Sequence, residues 1–244
     1  MVKQPLVGVL STIKAPLLHL LLKSLYKENV NNVCVIADEK QSGLKDQKIW
    51  TERTRGAFDS LGYGLYDFAS NGLPCYLVKH HNGDDCLSLL ERIQPAVLIN
   101  GGTPRKLSAS ILDSPTQGVI NVHPGVLPKY RGACCVEWAI LNDDPVGNTA
   151  HFMTEGYDEG PIIDTELCHF TQDDDYVSMR VQVYNRSIAL MARTVGRVLK
   201  TKMTIADGIP QSDGEFFRPL NEAQMEEVIE KVRSHKYAYM VDVK

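Results

Sequence analysis

The 244-residue sequence predicts an α/β protein, an open, twisted, mostly parallel sheet with helices on both faces and antiparallel strands at one edge. Three observations carry that expectation. Five short apolar runs, at residues 6–10, 33–37, 75–78, 96–100 and 119–123, are separated by longer segments, several of them helical in pattern, as in a parallel sheet covered by helices. Beyond residue 123 the pattern changes: residues 148–154 and 162–170 read as strands joined by the glycine-bearing loop 155–161, suited to antiparallel pairing at the sheet edge. Residues 175–200 then place Val177, Val181, Tyr184, Ile188, Met191, Val195 and Val198 in steps of four and three, one long amphipathic helix.

Taken in order, Leu17, Leu18, Leu20, Leu21, Leu22 and Leu25 follow the first strand as a helix packed on the sheet, and residues 84–93 supply another. Residues 38–74, rich in Gly, Lys, Asp and Ser, show no clear period and stay unassigned; Trp50, Tyr63 and Tyr66 within them either line a substrate-facing loop or pin a surface insertion. Leu127, Pro128, Lys129 and Tyr130 read as a turn, after which Arg131 and Gly132 start a helix over 133–141. Thr171, Gln172, Asp173 and Asp174 offer side-chain caps and negative charge to the long helix, so that acidic run needs no metal. The turn-rich stretch 208–214 precedes a short amphipathic helix over 221–235.

Composition narrows the class. With 43% hydrophobic residues the chain can bury a substantial core, and a net charge of −4 without basic runs supplies no field for nucleic acid. Six cysteines without CxxC spacing, and no signal-like apolar start, predict a cytoplasmic protein with reduced thiols. The apolar run at 16–22 is far short of the roughly 20 residues of a membrane span. His80 and His81 lack further ligands at metal spacing, so no metal is expected.

Chemistry concentrates in Val119-Ile120-Asn121-Val122-His123-Pro124-Gly125. Side chains alternate along a strand, so Asn121 and His123 share a face about 7 Å apart, at the carboxyl end where open α/β sheets bind ligands. Pro124 and Gly125 end the strand and leave His123 at a rim. Each candidate alone has a structural alternative. His123 reads equally as a strand-end histidine, Asp158 as a turn residue, His151 as strand packing, and Gly101-Gly102 as a tight strand-to-helix connection.

Together, Asn121-Val122-His123-Pro124-Gly125-Val126-Leu127-Pro128-Lys129-Tyr130-Arg131-Gly132, then Thr149-Ala150-His151 and Asp158-Glu159-Gly160-Pro161, resemble the folate-dependent formyltransferase family. That family includes glycinamide ribonucleotide, methionyl-tRNA and sugar N-formyltransferases. The resemblance implies a Rossmann-like fold, with residues 1–205 as the catalytic domain and 206–244 as a turn and helical extension packed on it. It implies 10-formyltetrahydrofolate as co-substrate, Asn121, His123 and Asp158 as catalytic residues and His151 as their support. It also implies a folate pocket at Gly101, Gly102, Thr103, Arg105 and Leu107, with Gly156 and Tyr157 as its second wall. An amine attacking a formyl carbon makes an oxyanion, to which Asn121 and a protonated His123 can donate; Asp158 would favour the charged imidazole and relay a proton through water.

Lys14 and Arg131 are candidates for anionic groups of the acceptor. The layout resembles most the compact sugar enzymes, which implies a nucleotide-linked amino sugar. Ser11-Thr12-Ile13-Lys14-Ala15-Pro16 lacks the glycines of the glycinamide ribonucleotide enzymes. The stretch after Phe170, mostly helical in pattern, does not suit the added β domain of the tRNA enzymes. The few residues before the first strand leave no place for the regulatory domain of the related hydrolases. Glycinamide ribonucleotide, another small amine, a different acyl group, and a noncatalytic folate-binding module remain as alternatives. Helix 221–235 is a candidate homodimer contact.

Overall fold

The computed structural model describes residues 4–40, 43–58 and 64–241, so Tyr63 lies outside the described residues. Strands β1 (Val7–Thr12), β2 (Val33–Asp38), β3 (Cys75–Val78), β4 (Val97–Asn100) and β5 (Val119–His123) are parallel neighbours. A short strand, β6 (Tyr130–Gly132), leaves the sheet, and β7 (Gly147–Phe152) and β8 (Ile162–Leu167) return to it antiparallel, giving the order β3-β2-β1-β4-β5-β7-β8. Every residue of β1 and β2 is buried, which is why these central strands read as continuous apolar runs.

Helices cover both faces. On one, α1 (Leu18–Lys27) turns Leu18, Leu21, Leu22 and Leu25 inward, packed with Val7, Val9 and Ile99 against Val195 and Val198 of the 26-residue α7 (Tyr176–Thr201). Asp175 caps α7 by accepting from the Ser178 N–H at 2.7 Å. On the other face α4 (Asp84–Ile93) buries Cys86, Leu89 and Leu90 against Leu10, Ile36 and Leu98. A third cluster joins α6 (Cys135–Leu141) to the carboxyl-terminal segment through Val136, Ile140, Phe217, Val228 and Val232. Its last two residues come from α8 (Glu222–Arg233). Among the described residues no helix is long and apolar enough to cross a membrane.

The structure departs from the sequence reading in three places. Residues 38–74 contain two helices, α2 (Leu44–Thr54) and α3 (Leu65–Ser70). Helix α2 is mostly polar, and Trp50 holds it by packing on Phe58 and on Tyr184 of α7, with ring centroids 5.7 and 5.0 Å apart. Tyr66 points to solvent. Arg131 and Gly132 do not start a helix: they belong to β6, which pairs in parallel with β10 (Glu215–Phe217), and α6 begins only at Cys135. Gly132 has φ 94° and a side chain there would stand 2.4 Å from the Phe217 carbonyl oxygen, so the pairing demands glycine. Finally, β8 stops at Leu167, and β9 (Phe170–Thr171) pairs separately with β11 (Met240–Val241).

Candidate functional site

The carboxyl end of β5 and its antiparallel neighbour build the centre. Their register sets Asn121 opposite His151, and the Asn121 Nδ2 lies 3.1 Å from the His151 Nε2. His123 closes the strand, and its Nε2 donates to the Tyr130 carbonyl at 2.9 Å. Gly125 makes that contact feasible: a methyl group there would stand 2.7 Å from the His123 Nε2 and 2.8 Å from the Tyr130 oxygen.

Asp158 arrives from the loop after β7 with φ 56°, unusual for a side chain-bearing residue. One carboxylate oxygen, Oδ2, accepts the Gly132 N–H at 3.0 Å and lies 3.4 Å from the His123 Nδ1; Oδ1 lies 3.7 Å from the His151 Nε2. The carboxylate thus sits between two imidazoles. The loop turns back on itself at Gly160, where a side chain would meet the Phe152 oxygen at 1.7 Å. A residue not singled out in the sequence, Gln211, holds it there. Its Nε2 donates to the carbonyls of Asp158 and Gly160 at 3.0 and 2.6 Å, while its Oε1 accepts from the Arg131 Nε and Nη2.

These bonds change the reading of Arg131. Its guanidinium is largely buried and donates also to the Ser212 carbonyl, so it ties β6 to the carboxyl-terminal segment. Lys14 is exposed and does not line the cavity.

A cavity of about 290 Å³ opens beside the cluster. Asn121, His151 and Asp158 line it, with Thr103, Arg105 and Leu107 on one wall and Gly156 and Tyr157 on the other. Asn100, Lys106, Met153 and Thr154 also line it. Lys106 reaches across, its ammonium 4.9 Å above the Tyr157 ring. Gly101 and Gly102 lie behind this surface: a side chain on Gly101 would stand 2.5 Å from Val9, and Gly102 has φ 100°. They shape the wall and do not line the space. His123 is 4% exposed and likewise stands just behind it.

The wall 100–107 is anchored by a second polar cluster that the sequence did not reveal. Buried Asp38, at the end of β2, receives the Arg105 guanidinium through Nε and, at 2.9 Å, through Nη2. Asp38 also accepts the N–H groups of Lys40 and His81. Burial opposes its charge, but Arg105 and the two N–H donors outweigh burial and hold the carboxyl down to about 2. His81 bridges the Thr103 hydroxyl at 2.6 Å and the Ile36 carbonyl at 3.0 Å.

Burial lowers the His123 imidazole below the ordinary histidine range, despite Asp158 and the bond to Tyr130, and lowers His151 to about 4. Both shifts favour the uncharged rings in the resting protein. With its Nε2–H given to Tyr130, neutral His123 turns a lone pair at Nδ1 toward Asp158.

A three-layered α/β fold with a cavity and an Asn-His-Asp cluster at the carboxyl ends of its strands defines a ligand-binding α/β protein with acid–base capacity. A profile of the formyl transferase family matches residues 7–195, and the chain belongs to that family. It is 30% identical over 123 residues to a methionyl-tRNA formyltransferase of Caldanaerobacter subterraneus subsp. tengcongensis, 50% of this chain and 40% of that protein. It is 27% identical over 136 residues, 55% of this chain, to the bifunctional polymyxin resistance protein ArnA of Wigglesworthia glossinidia brevipalpis, of which 21% is covered. The matches thus span well under half the length of these relatives.

Among solved structures, glycinamide ribonucleotide transformylase 1 from Symbiobacterium toebii aligns with a TM-score of 0.63 at 18% identity, covering 86% of this chain and 94% of that one. A sugar N-formyltransferase from Shewanella sp FDAARGOS_354 aligns with a TM-score of 0.62 at 14% identity, covering 93% and 87%. Both likenesses are of fold.

Proposed function

We propose that the chain transfers the formyl group of 10-formyltetrahydrofolate to a primary amine, with a nucleotide-linked amino sugar as the acceptor. The observation that supports it best is the meeting of Asn121, His123, His151 and Asp158 at the end of the cavity. The folate co-substrate supplies the one-carbon group. Two walls built from the turns 100–107 and 154–158, rich in backbone polar groups, suit a flat heterocycle, and the volume is near the lower bound of ordinary ligand pockets, about 300 Å³.

Asn121 has one amide hydrogen committed to His151 and a second available to a formyl oxygen as it gains negative charge. His123 Nδ1, beside Asp158, accepts through water the proton that the attacking nitrogen sheds, and the same proton returns to N10 of the folate as its bond to the formyl carbon breaks and tetrahydrofolate leaves. Once charged, the imidazole is stabilised by the carboxylate beside it. His151 is a positioning residue, holding Asn121 from across the strand pair.

Support for the acceptor comes from the connection between β1 and α1. It contains no glycine, and α1 starts after Leu17 with no side-chain cap, unlike a phosphate cradle at a helix start. The unpaired thiols of the six cysteines suit a reducing, cytoplasmic setting. The test is incubation with 10-formyltetrahydrofolate and a panel of amines, including nucleotide-linked amino sugars, glycinamide ribonucleotide and amino acids. Tetrahydrofolate release and the mass of the acceptor are followed, with His123→Ala in parallel. Formylation of one acceptor, lost in the variant, is expected. Folate binding without any formylation would favour the noncatalytic module, and absence of both would sink the proposal.

A further inference from the structure

Asn100, the last residue of β4, starts a chain of hydrogen bonds whose direction the backbone dictates. Its Oδ1 accepts the N–H groups of Gly102 and Thr103 at 3.0 and 2.9 Å. Only an oxygen can accept both, so the amide of Asn100 has one allowed orientation and its Nδ2 faces the Asn121 Oδ1 at 3.0 Å. That contact in turn aims the Asn121 Nδ2 at the His151 Nε2, 3.1 Å away, which must then carry a lone pair. The Phe152 carbonyl, 2.9 Å from the His151 Nδ1, independently fixes the ring proton there and leaves the lone pair on Nε2.

We propose that Asn100 is a positioning residue that, from the side opposite His151, holds Asn121 with its N–H edge, not its carbonyl, toward the reacting oxygen. An asparagine amide has nearly the same shape after a half-turn, so packing alone cannot choose between the two orientations. A half-turned Asn121 would present an acceptor where negative charge develops. Two side chains anchored to backbone select the donor, His151 through the Phe152 carbonyl and Asn100 through the cavity wall, so the wall that receives the ligand also orients the group that acts on it. This inference rests on the role proposed for Asn121 above.

Asn100→Asp tests it, because the variant still accepts the two backbone N–H groups but repels the Asn121 oxygen and turns that amide over. In protein labelled with ¹⁵N-histidine at pH 6, His151 is expected with Nδ1 alone protonated in the wild type and with both nitrogens protonated in the variant, because a turned Asn121 offers Nε2 an oxygen while Phe152 still takes Nδ1–H; His151→Gln assigns the signals. Turnover, read as tetrahydrofolate release with hydroxylamine as a surrogate amine, should fall about 10²-fold, the scale of losing one oxyanion donor. A His151 that stays protonated at Nδ1 alone in Asn100→Asp at that pH overturns the proposal. Should that variant not fold, Asn100→Ala is expected to raise the pH at which His151 gains its second proton, and an unchanged titration would overturn it equally. Asn121→Ala separates the two levels. If it is inactive while Asn100→Asp turns over normally, only the orientation claim falls; if Asn121→Ala itself turns over normally, the role of Asn121 falls as well.

Discussion

Two buried clusters contribute to the same cavity, each with an aspartate beside a histidine, and their charge balance differs. In the cluster of Asp38, Arg105, His81 and Thr103 the carboxylate has a guanidinium, so its charge is met within the fold. Burial keeps His81 neutral, and both of its nitrogens have partners in Thr103 and Ile36. In the cluster of Asn121, His123, His151 and Asp158, the charged-pair partners of the carboxylate among the described residues are the two imidazoles, which burial keeps neutral. A satisfied cluster is a fastening, whereas one short of a proton can exchange it. Residue type does not separate these roles; the presence of a permanent cation does.

The comparison breaks most visibly at Asp158. Asp158→Asn should lower turnover by about 10³-fold, within the usual range for a proton-transfer group, while equilibrium binding of the folate changes little. Equal losses in turnover and binding would place Asp158 with the fastenings.

Arg105→Gln should do the opposite. Leaving Asp38 buried without its cation should cost about 3 kcal/mol in urea unfolding, and the KM for folate should rise more than kcat falls. An unchanged unfolding midpoint would show that the fold does not depend on this pair.

Gln211→Ala sharpens the contrast within the reactive cluster. It removes two bonds to the carbonyls of the Asp158 loop and leaves Arg131 with the Ser212 carbonyl, so kcat should drop about tenfold with a smaller change in KM. A fall in thermal stability alone, with kcat intact, would limit Gln211 to packing the carboxyl-terminal segment.

The smallest effect is on stability against pH. Because folding lowers the pKa of His151 from 6.5 to about 4, the unfolded chain binds the extra proton first. Stability is thus full above pH 6.5 and is lost as pH falls toward about 4, and His123 acts in the same direction. Urea titrations of His151→Asn should show a shallower decline over that window than the wild type; parallel curves would contradict the assignment.

How much of this was legible beforehand depends on the range of each interaction. The alternation that puts Asn121 and His123 on one face, the strand stop at Pro124-Gly125 and the period of α7 are properties of neighbouring residues, and the structure reproduces them. Helix α2 escaped notice because Lys, Asp, Gln, Glu and Thr dominate it, and its few apolar residues trace no stripe. Asp38 and Gln211 gave no local signal at all: their partners lie 67 and 53 residues away along the chain.

The amino-acid sequence by itself determined the five parallel strands, the long helix α7, the family motif and the residues able to move a proton, because periodicity and residue chemistry act over a few positions. Only the tertiary structure decided that His151 faces Asn121, that Arg131 is tied down and that the imidazoles are neutral. Those outcomes depend on strand register, on which distant donor reaches which acceptor, and on how much water burial removes, and none of these exists until the chain has closed on itself.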